Sequence, residues 1–507
     1  MDQFFGSFTV LSPWLPLVGA SLLVLIVEAL TKKDTEKYIS LSITLIGLGT
    51  ALFFALSLPD TTTTPGFFVT ADLVTKALAF IVLVGAILIT VLSHEYLTKI
   101  RGRFGEYYAL IMLSSLGALG LGYASDLFTF FIAFEVMSIA VYILAGFSRY
   151  STRSTESAMK YFILGAFSTG FMLMGTAFIY GTTGEVVFSQ ILASLSAQDN
   201  PSVWNLAYLG FGLMLVGFLF KLGVVPFHTW VPDVYEGAPT VVTAFMATVV
   251  KVGAIAVFLR LVHDSFQVEE LKVFWSTVTW GGALLTVVYG NFATLAQKNV
   301  KRMLAYSSVS HAGYLLIGIT ALALVPLGTG MELQVKSIQS ALLFYVFAYL
   351  FMNTGAFAAI VGFSAYSKNE LTHIEDFKGL GYRAPLLGLG MTVFMLSLAG
   401  IPLTAGFIGK FVVFKSLVVA AGMESWSWQF HGLVMVAILM SLVSVFYYMR
   451  VVVYLFFKTP VETTRVETNW NFTAVVFVCM VMTLILGVIP NTFFGWIGDI
   501  LFVSVGL

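Results

Sequence analysis

Apolar runs of about 18 or more residues, each closed by a short polar stretch, follow one another along this chain. A run of that length crosses the hydrocarbon core of a bilayer as an α-helix, whereas strands of a membrane barrel would be about ten residues long and alternating. Fourteen spans are predicted, near residues 11–30, 38–58, 72–93, 107–124, 127–148, 157–181, 203–232, 238–262, 273–290, 301–324, 336–364, 385–417, 429–457 and 470–494. The fold class is therefore all-α, a polytopic membrane helical bundle. Gly223 and Pro226 interrupt the seventh span, and Gly400, Pro402, Gly406 and Gly409 punctuate the twelfth. Interrupted helices at matching places in two halves point to a transporter built from inverted repeats. With spans four to eight and nine to thirteen as the repeats, each five-helix copy carries its broken helix fourth. The expected division is 1–106 for three leading helices, 107–264 and 265–458 for the two repeats, and 459–507 for a last helix. The longest polar loop, about 20 residues, follows Tyr180, and no soluble domain is expected. The first apolar run has no basic region before it, which argues against a cleaved signal peptide.

Loop charges support that count. Sixteen Lys and Arg fall in loops facing one side, Lys32, Arg101, Lys368 and Arg465 among them, and four, Lys76, Arg260, Lys272 and Lys336, lie on the other. By the positive-inside rule the sixteen face the cytoplasm or an equivalent matrix side, with both termini outside. The 507 residues are 59% hydrophobic and 10% charged, and 26 basic groups cancel 26 acidic ones, so no global field recruits nucleic acid. A single cysteine, Cys479, excludes an internal disulfide, a thiolate zinc site and an iron–sulfur cluster.

Six basic residues lie within spans: Lys160, Lys221, Lys251, Lys410, Lys415 and Arg450. A lysine at mid-membrane costs roughly 2.5–3.5 kcal/mol, so each needs a reason. Glu135 is the one acid deep in a span, nine residues after Asp126 and so about 13 Å along its helix. Lys221 is its expected partner, and a pair that separates by a few ångströms would switch proton uptake at a neighbouring site. Lys251 and Lys410 have no second deep acid to pair with, and at least one of them is expected to exchange protons near neutrality. His228, just after the first break, and His311, in SSVSHAGY, can bridge such stations because imidazole both donates and accepts. Tyr306 and Tyr314 flank His311 and could hold water. The competing readings are structural: Glu135 and Lys221 as a pair fastening two helices, the two histidines as packing residues, and Lys160, Arg450 and Lys415 as side chains that snorkel to the surface.

The stretch from Lys221 to Lys251, FKLGVVPFHTWVPDVYEGAPTVVTAFMATVVKVGA with its preceding Phe and following residues, resembles the antiporter-like membrane subunits of proton-pumping NADH:quinone oxidoreductase, respiratory complex I. The frame of Lys221, His228, Trp230, Pro232 and Asp233 is common to sister subunits and to multisubunit cation/proton antiporters, while VYEGAPT and Lys410 are of the subunit N type. Similar stretches are FEVMSIAVYILAGF around Glu135, SAMKYFILGAFSTG around Lys160, NVKRMLAYSSVSHAGY and GIPLTAGFIGKF. The resemblance implies a switch pair at Glu135 and Lys221, a central carrier at Lys251, an output lysine at Lys410, a functional Lys160, and connecting residues at His228 and His311. It also implies that this chain binds no cofactor, and that NADH, FMN, iron–sulfur clusters and quinone belong to other subunits. The implied partners are the other membrane subunits, sister antiporter-like subunits included, in the bilayer of a bacterial inner membrane or an equivalent. The alternatives are a subunit of a multisubunit cation/proton antiporter and a structural membrane scaffold that moves no protons.

Overall fold

Short polar side chains set the helix starts. Asp72, Asp126, Ser151 and Asn299 each accept a backbone N–H from the first turn of the helix that follows, satisfying donors that a helix start leaves unpaired. The computed structural model describes residues 10–31, 33–59, 62–64, 69–100, 103–198, 200–261, 269–325, 331–365, 367, 370–422, 427–459 and 469–497. Lys32, Arg101, Lys368 and Arg465, counted above among the inner loop charges, lie outside the described residues.

Among the described residues the helices of eight residues or more are α1 Trp14–Leu30, α2 Lys33–Ser57, α3 Leu73–Lys99, α4 Phe104–Tyr123, α5 Leu127–Ala145, α6 Thr152–Thr183, α7 Phe188–Ser196, α8 Pro201–Leu222, α9 Trp230–Gly237, α10 Thr240–Arg260, α11 Glu269–Leu295, α12 Val300–Leu324, α13 Glu332–Phe363, α14 Pro385–Ala399, α15 Ala405–Ala421, α16 Trp428–Phe457 and α17 Trp470–Val488. Twelve are long and apolar enough to cross a membrane. With α1 and the broken pair α14–α15 they match the fourteen predicted spans. The only strands among the described residues, Thr62–Thr64 and Val69–Ala71, pair antiparallel between α2 and α3, with Thr62 opposite Ala71. The loop after Tyr180 differs from expectation, because it contains α7. Phe188, Ile191 and Leu195 of α7 recur at helical spacing and are buried.

Three helices form the centre. The apolar segments of α10, α12 and α13 are wholly buried, against 28% for α6 and 33% for α16. Apolar residues all round a helix suit such a position, and any polar side chain on these three must find its partner inside the protein.

Charges predicted on opposite sides do gather at opposite ends. At what we term the inner end, Lys99 Nζ donates to the Ser364 carbonyl at 2.6 Å. At the outer end the Arg260 fork grips both Asp72 carboxylate oxygens, at 2.7 and 2.8 Å, and Arg260 Nε donates to the Gly122 carbonyl at 2.9 Å. Arg450 does more than snorkel. Its guanidinium donates to the carbonyls of Leu295, at 3.3 Å, and Gln297, closing the C-terminal end of α11, where a cation also complements the helix dipole. Arg450→Ala should therefore lower the stability of the assembled protein by about 1 kcal/mol and leave proton transfer near normal. Thermal unfolding and a gradient measurement on the same membranes check both halves. Lys415 is half-buried on α15.

Candidate functional site

The two broken helices stop in the same way. Gly223 and Gly400 take left-handed φ of 74° and 88°, a conformation glycine adopts without steric penalty. Gly223 N–H reaches the Phe220 carbonyl at 3.0 Å and Val224 N–H the Leu219 carbonyl at 2.9 Å; Gly400 and Ile401 repeat this on Ser397 and Leu396, both at 3.0 Å. These paired bonds satisfy carbonyls that a helix end leaves open. The chain then runs non-helically to Trp230 in the first case and Ala405 in the second. Gly406 and Gly409 lie inside α15 rather than in its break.

At the first break, Lys221 is 3% exposed and its amine makes no hydrogen bond within the described residues. It lies 5.0 Å from the ring centres of Tyr142 and Tyr161 and 5.4 Å from that of Phe134. Three π faces on α5 and α6 thus supply the charge stabilisation that a carboxylate was expected to supply. Glu135, half-buried, accepts a 2.8 Å bond from the Thr169 hydroxyl. The predicted direct Glu135–Lys221 pair is therefore not formed. Trp230, stacked on Tyr161 at 4.3 Å, donates to the Phe220 carbonyl at 2.9 Å and ties the two sides of the break together.

Lys251 follows a π-helical turn at Met246–Val250, an irregularity that recurs at functional positions in helices. Its amine donates to the Ser308 carbonyl at 2.6 Å and to Ser308 Oγ at 2.5 Å, and lies 5.5 Å from the Tyr349 ring centre. The His311 ring stands 5.0 Å from that of Tyr349. One nitrogen of His311 bonds the Tyr345 hydroxyl at 2.6 Å, and the other bonds Tyr448 at 3.2 Å. Tyr448 continues to Ser307 Oγ. A neutral imidazole held on both nitrogens must donate on one side and accept on the other. Tyr314, expected to flank His311, does meet it edge to face at 5.6 Å, and its ring lies 5.0 Å from the amine of Lys410. Tyr306 instead lies against Arg302, 5.9 Å from its guanidinium. Lys410 donates to the carbonyls of Leu398 at 2.9 Å and Ala399 at 3.0 Å, the end of α14, and to Ser441 Oγ at 2.9 Å.

Two predicted residues sit elsewhere. Lys160 lies in an ionic cluster at the inner end, bonded to Glu156 at 2.7 Å and Asp233 at 2.9 Å; Arg302 bridges Asp233 at 2.8 Å and Glu236 at 2.9 Å. This cluster lines a cavity of about 200 Å³. Partial burial pushes the Asp233 carboxyl up, but its bonds with Lys160 and Arg302 outweigh that and hold it below the usual range. His228 is 6% exposed and packs edge to face on Tyr289 at 4.5 Å.

Glu370, in the loop after α13, was not singled out by its sequence context. It accepts bonds from the hydroxyls of Tyr96 at 2.5 Å and Thr240 at 2.8 Å and from Lys301 at 3.2 Å, joining three helices. Burial pushes this carboxyl up, and the Lys301 charge with the two hydroxyls outweighs it, so the net shift is downward. Ionised Glu370 therefore adds stability that is fully present above pH 4.5, the ordinary value of the group, and is lost as pH falls through the lower folded value. The thermal midpoint of Glu370→Gln should lie below that of the parent near neutrality, with the gap closing only below pH 4.5. An equal gap on both sides of that pH would show that the lock is not ionic.

A family model described as NADH:quinone oxidoreductase/Mrp antiporter, TM matches residues 124–441. The NADH-quinone oxidoreductase subunit N of Trichlorobacter lovleyi is 44% identical over 416 residues, 81% of this chain and 80% of that protein. The chain belongs to the NADH-quinone oxidoreductase subunit N family. A chain of respiratory complex I from Thermus thermophilus with bound aureothin matches with a TM-score of 0.77 at 31% identity, over 96% of this chain and 99% of that one. A chain of the Mrp complex from Dietzia sp. has the same fold, TM-score 0.80, at 19% identity, over 99% and 98%. Subunit N proteins are multi-pass membrane subunits of an enzyme complex.

Proposed function

We propose that this chain is a proton-translocating, non-redox subunit of respiratory complex I, coupling NADH:quinone oxidoreduction in other subunits to proton transfer along its buried amines. One observation carries the reading. Lys251 and Lys410 are buried at the two ends of a row of side chains, Ser308, Tyr349, His311 and Tyr314, joined by the Lys251–Ser308 hydrogen bond and otherwise by ring contacts of 5.0 to 5.6 Å, in the wholly buried centre of the bundle. Their hydroxyl and imidazole groups pass protons through bridging water, each donating one while accepting another. Lys251 is the central carrier in this reading, and Lys410 the station of the second half. Lys221 and Glu135 form a switch that closes only when the carboxylate swings from Thr169 toward the aromatic cage. Lys160 belongs to the inner surface of the path, and His228 and His311 connect its parts.

The helices divide into inverted repeats at 107–264 and 265–458, each with its broken helix fourth, which agrees with the matching ends at Gly223 and Gly400. The basic loops face the cytoplasm of a bacterial inner membrane or its equivalent. The flanks pack against sister antiporter-like subunits, and the chain itself binds no NADH, FMN, iron–sulfur cluster or quinone. The test is quinone reduction and the accompanying pH gradient in membranes carrying Lys251→Ala in the otherwise intact complex. Normal pumping by that variant would overturn the reading.

A further inference from the structure

The series from Lys251 to Lys410 leaves a row of buried polar atoms unused. Asn353, on α13, is 1% exposed, and beyond a loose approach to the Tyr349 hydroxyl one turn away neither end of its amide makes a hydrogen bond within the described residues. The hydroxyls of Thr354 beside it and Thr90 on α3 make none either. Burying an amide dry leaves two donors and an acceptor oxygen unmet, and native interiors avoid this by hydrating such groups. Tyr345, Tyr349 and Asn353 recur every four residues and so share one face of α13. The stripe that holds His311 and faces Lys251 therefore continues inward.

The three helices around it can be put on one depth scale. A Cβ at Gly85 of α3 would lie 2.8 Å from both Leu350 of α13 and Val249 of α10, so these residues mark one level. At 1.5 Å per residue, Asn353, Thr354 and Thr90 lie about 4.5, 6 and 7.5 Å inward of it, and Lys251 about 3 Å outward. The helices α3, α10 and α13 pack mutually. About 9 Å inward of Thr90, the same three elements meet again, where Tyr96 of α3, Thr240 of α10 and Glu370 just past α13 bond one another. Beyond them opens a cavity of about 260 Å³, lined by Glu95, Lys99 and Ser364 as well as Tyr96 and Glu370.

We propose that the seam between α3, α10 and α13 is a hydrated proton branch joining the inner surface to Lys251, with Thr90, Thr354 and Asn353 along it and the Glu370–Tyr96–Thr240 contact as its closed mouth. The branch rests on the proton-carrying role of Lys251. A proton taken from the inner bulk moves by hops, each water or hydroxyl donating one proton as it accepts the next, and ends on the Lys251 amine. No other reactant is needed.

The test uses the whole complex in sealed membrane vesicles, measuring the rate of quinone reduction and the pH gradient it forms. Asn353→Leu keeps the volume and removes the unmet amide, so a purely structural asparagine predicts equal or better thermal stability with rate and gradient both unchanged. The branch predicts normal assembly with the gradient reduced to the level of Lys251→Ala, a partial loss in Thr90→Val, and retention in Asn353→Ser. Asn353→Leu that assembles and pumps like the parent overturns the branch. Should Asn353→Leu not assemble, Thr90→Val, which keeps the side-chain shape, decides by the same criterion. If Lys251→Ala itself pumps normally, the proposed function fails and the branch with it; if Lys251→Ala is inactive while the seam variants pump normally, the branch alone fails.

Discussion

Lys251→Ala is expected to assemble and to lose both the proton gradient and the quinone reduction coupled to it. The amine sits between the Ser308 hydroxyl and the Tyr349 ring on helices whose apolar segments are wholly buried. A positioned proton donor and acceptor is worth about 10²-fold or more in the step it serves, and a loss of that order is expected here. Lys251→Met fills the same space without an amine and should fail equally, which separates chemistry from packing. Arg450→Ala, whose contacts close a helix end, provides the control. Assembly on a native gel, quinone reductase rate and vesicle acidification decide the matter together. Wild-type values for all three in Lys251→Ala would remove the lysine from the proton path.

The second large effect is structural. Gly406 lies in the first turn of α15, its N–H bonded to Ser397 Oγ at 3.0 Å, and a Cβ there would overlap the Ser397 carbonyl oxygen. That oxygen is backbone and already accepts from Gly400 N–H, so it cannot step aside. Overpacking of this kind costs about 1–3 kcal/mol, and a backbone obstacle puts Gly406→Ala at the upper end. Lys410 is one turn further along the same face, so any shift of α15 also moves its amine off the α14 carbonyls. Gly406→Ala should therefore show less assembled complex and a lower thermal midpoint. Gly432→Ala on α16, where a Cβ meets nothing within 4 Å, should be neutral or slightly stabilising. Equal behaviour of the two variants would mean that α14 and α15 are not packed as described.

Much of this architecture is readable from local chemistry. Span positions follow from hydropathy, and the two breaks follow from Gly223 and Gly400, because a left-handed helix end favours glycine. What cannot be read locally is which groups meet across the bundle. The cage around Lys221 is assembled from Phe134, Tyr142 and Tyr161 on two helices, and each of these is an ordinary apolar position in its own span. The Glu370 lock joins side chains 274 residues apart from a loop that carries no motif. The π-turn before Lys251 is written in Met-Ala-Thr-Val-Val, which has no composition that marks it. Glu135 and Lys221 do not touch, because the Thr169 hydroxyl holds the carboxylate and three aromatic rings surround the amine, so the two charges act on each other only across that distance.

The lysines at the two breaks differ in what a proton does to the surrounding shape. An ammonium carries three N–H groups and a neutral amine two, and Lys410 faces three acceptors, the Leu398 and Ala399 carbonyls and the Ser441 hydroxyl. Were Lys410 to lose a proton, one of those acceptors would lose the amine, while Ser441 Oγ, which itself donates to the Ala399 carbonyl at 3.2 Å, would keep α16 tied to the end of α14. The charge of the amine and its grip on the kink would then change together. Lys221, with no such bonds to give up, would change charge without slackening its own helix. A common backbone device thus holds one amine bonded into the kink and another free of it.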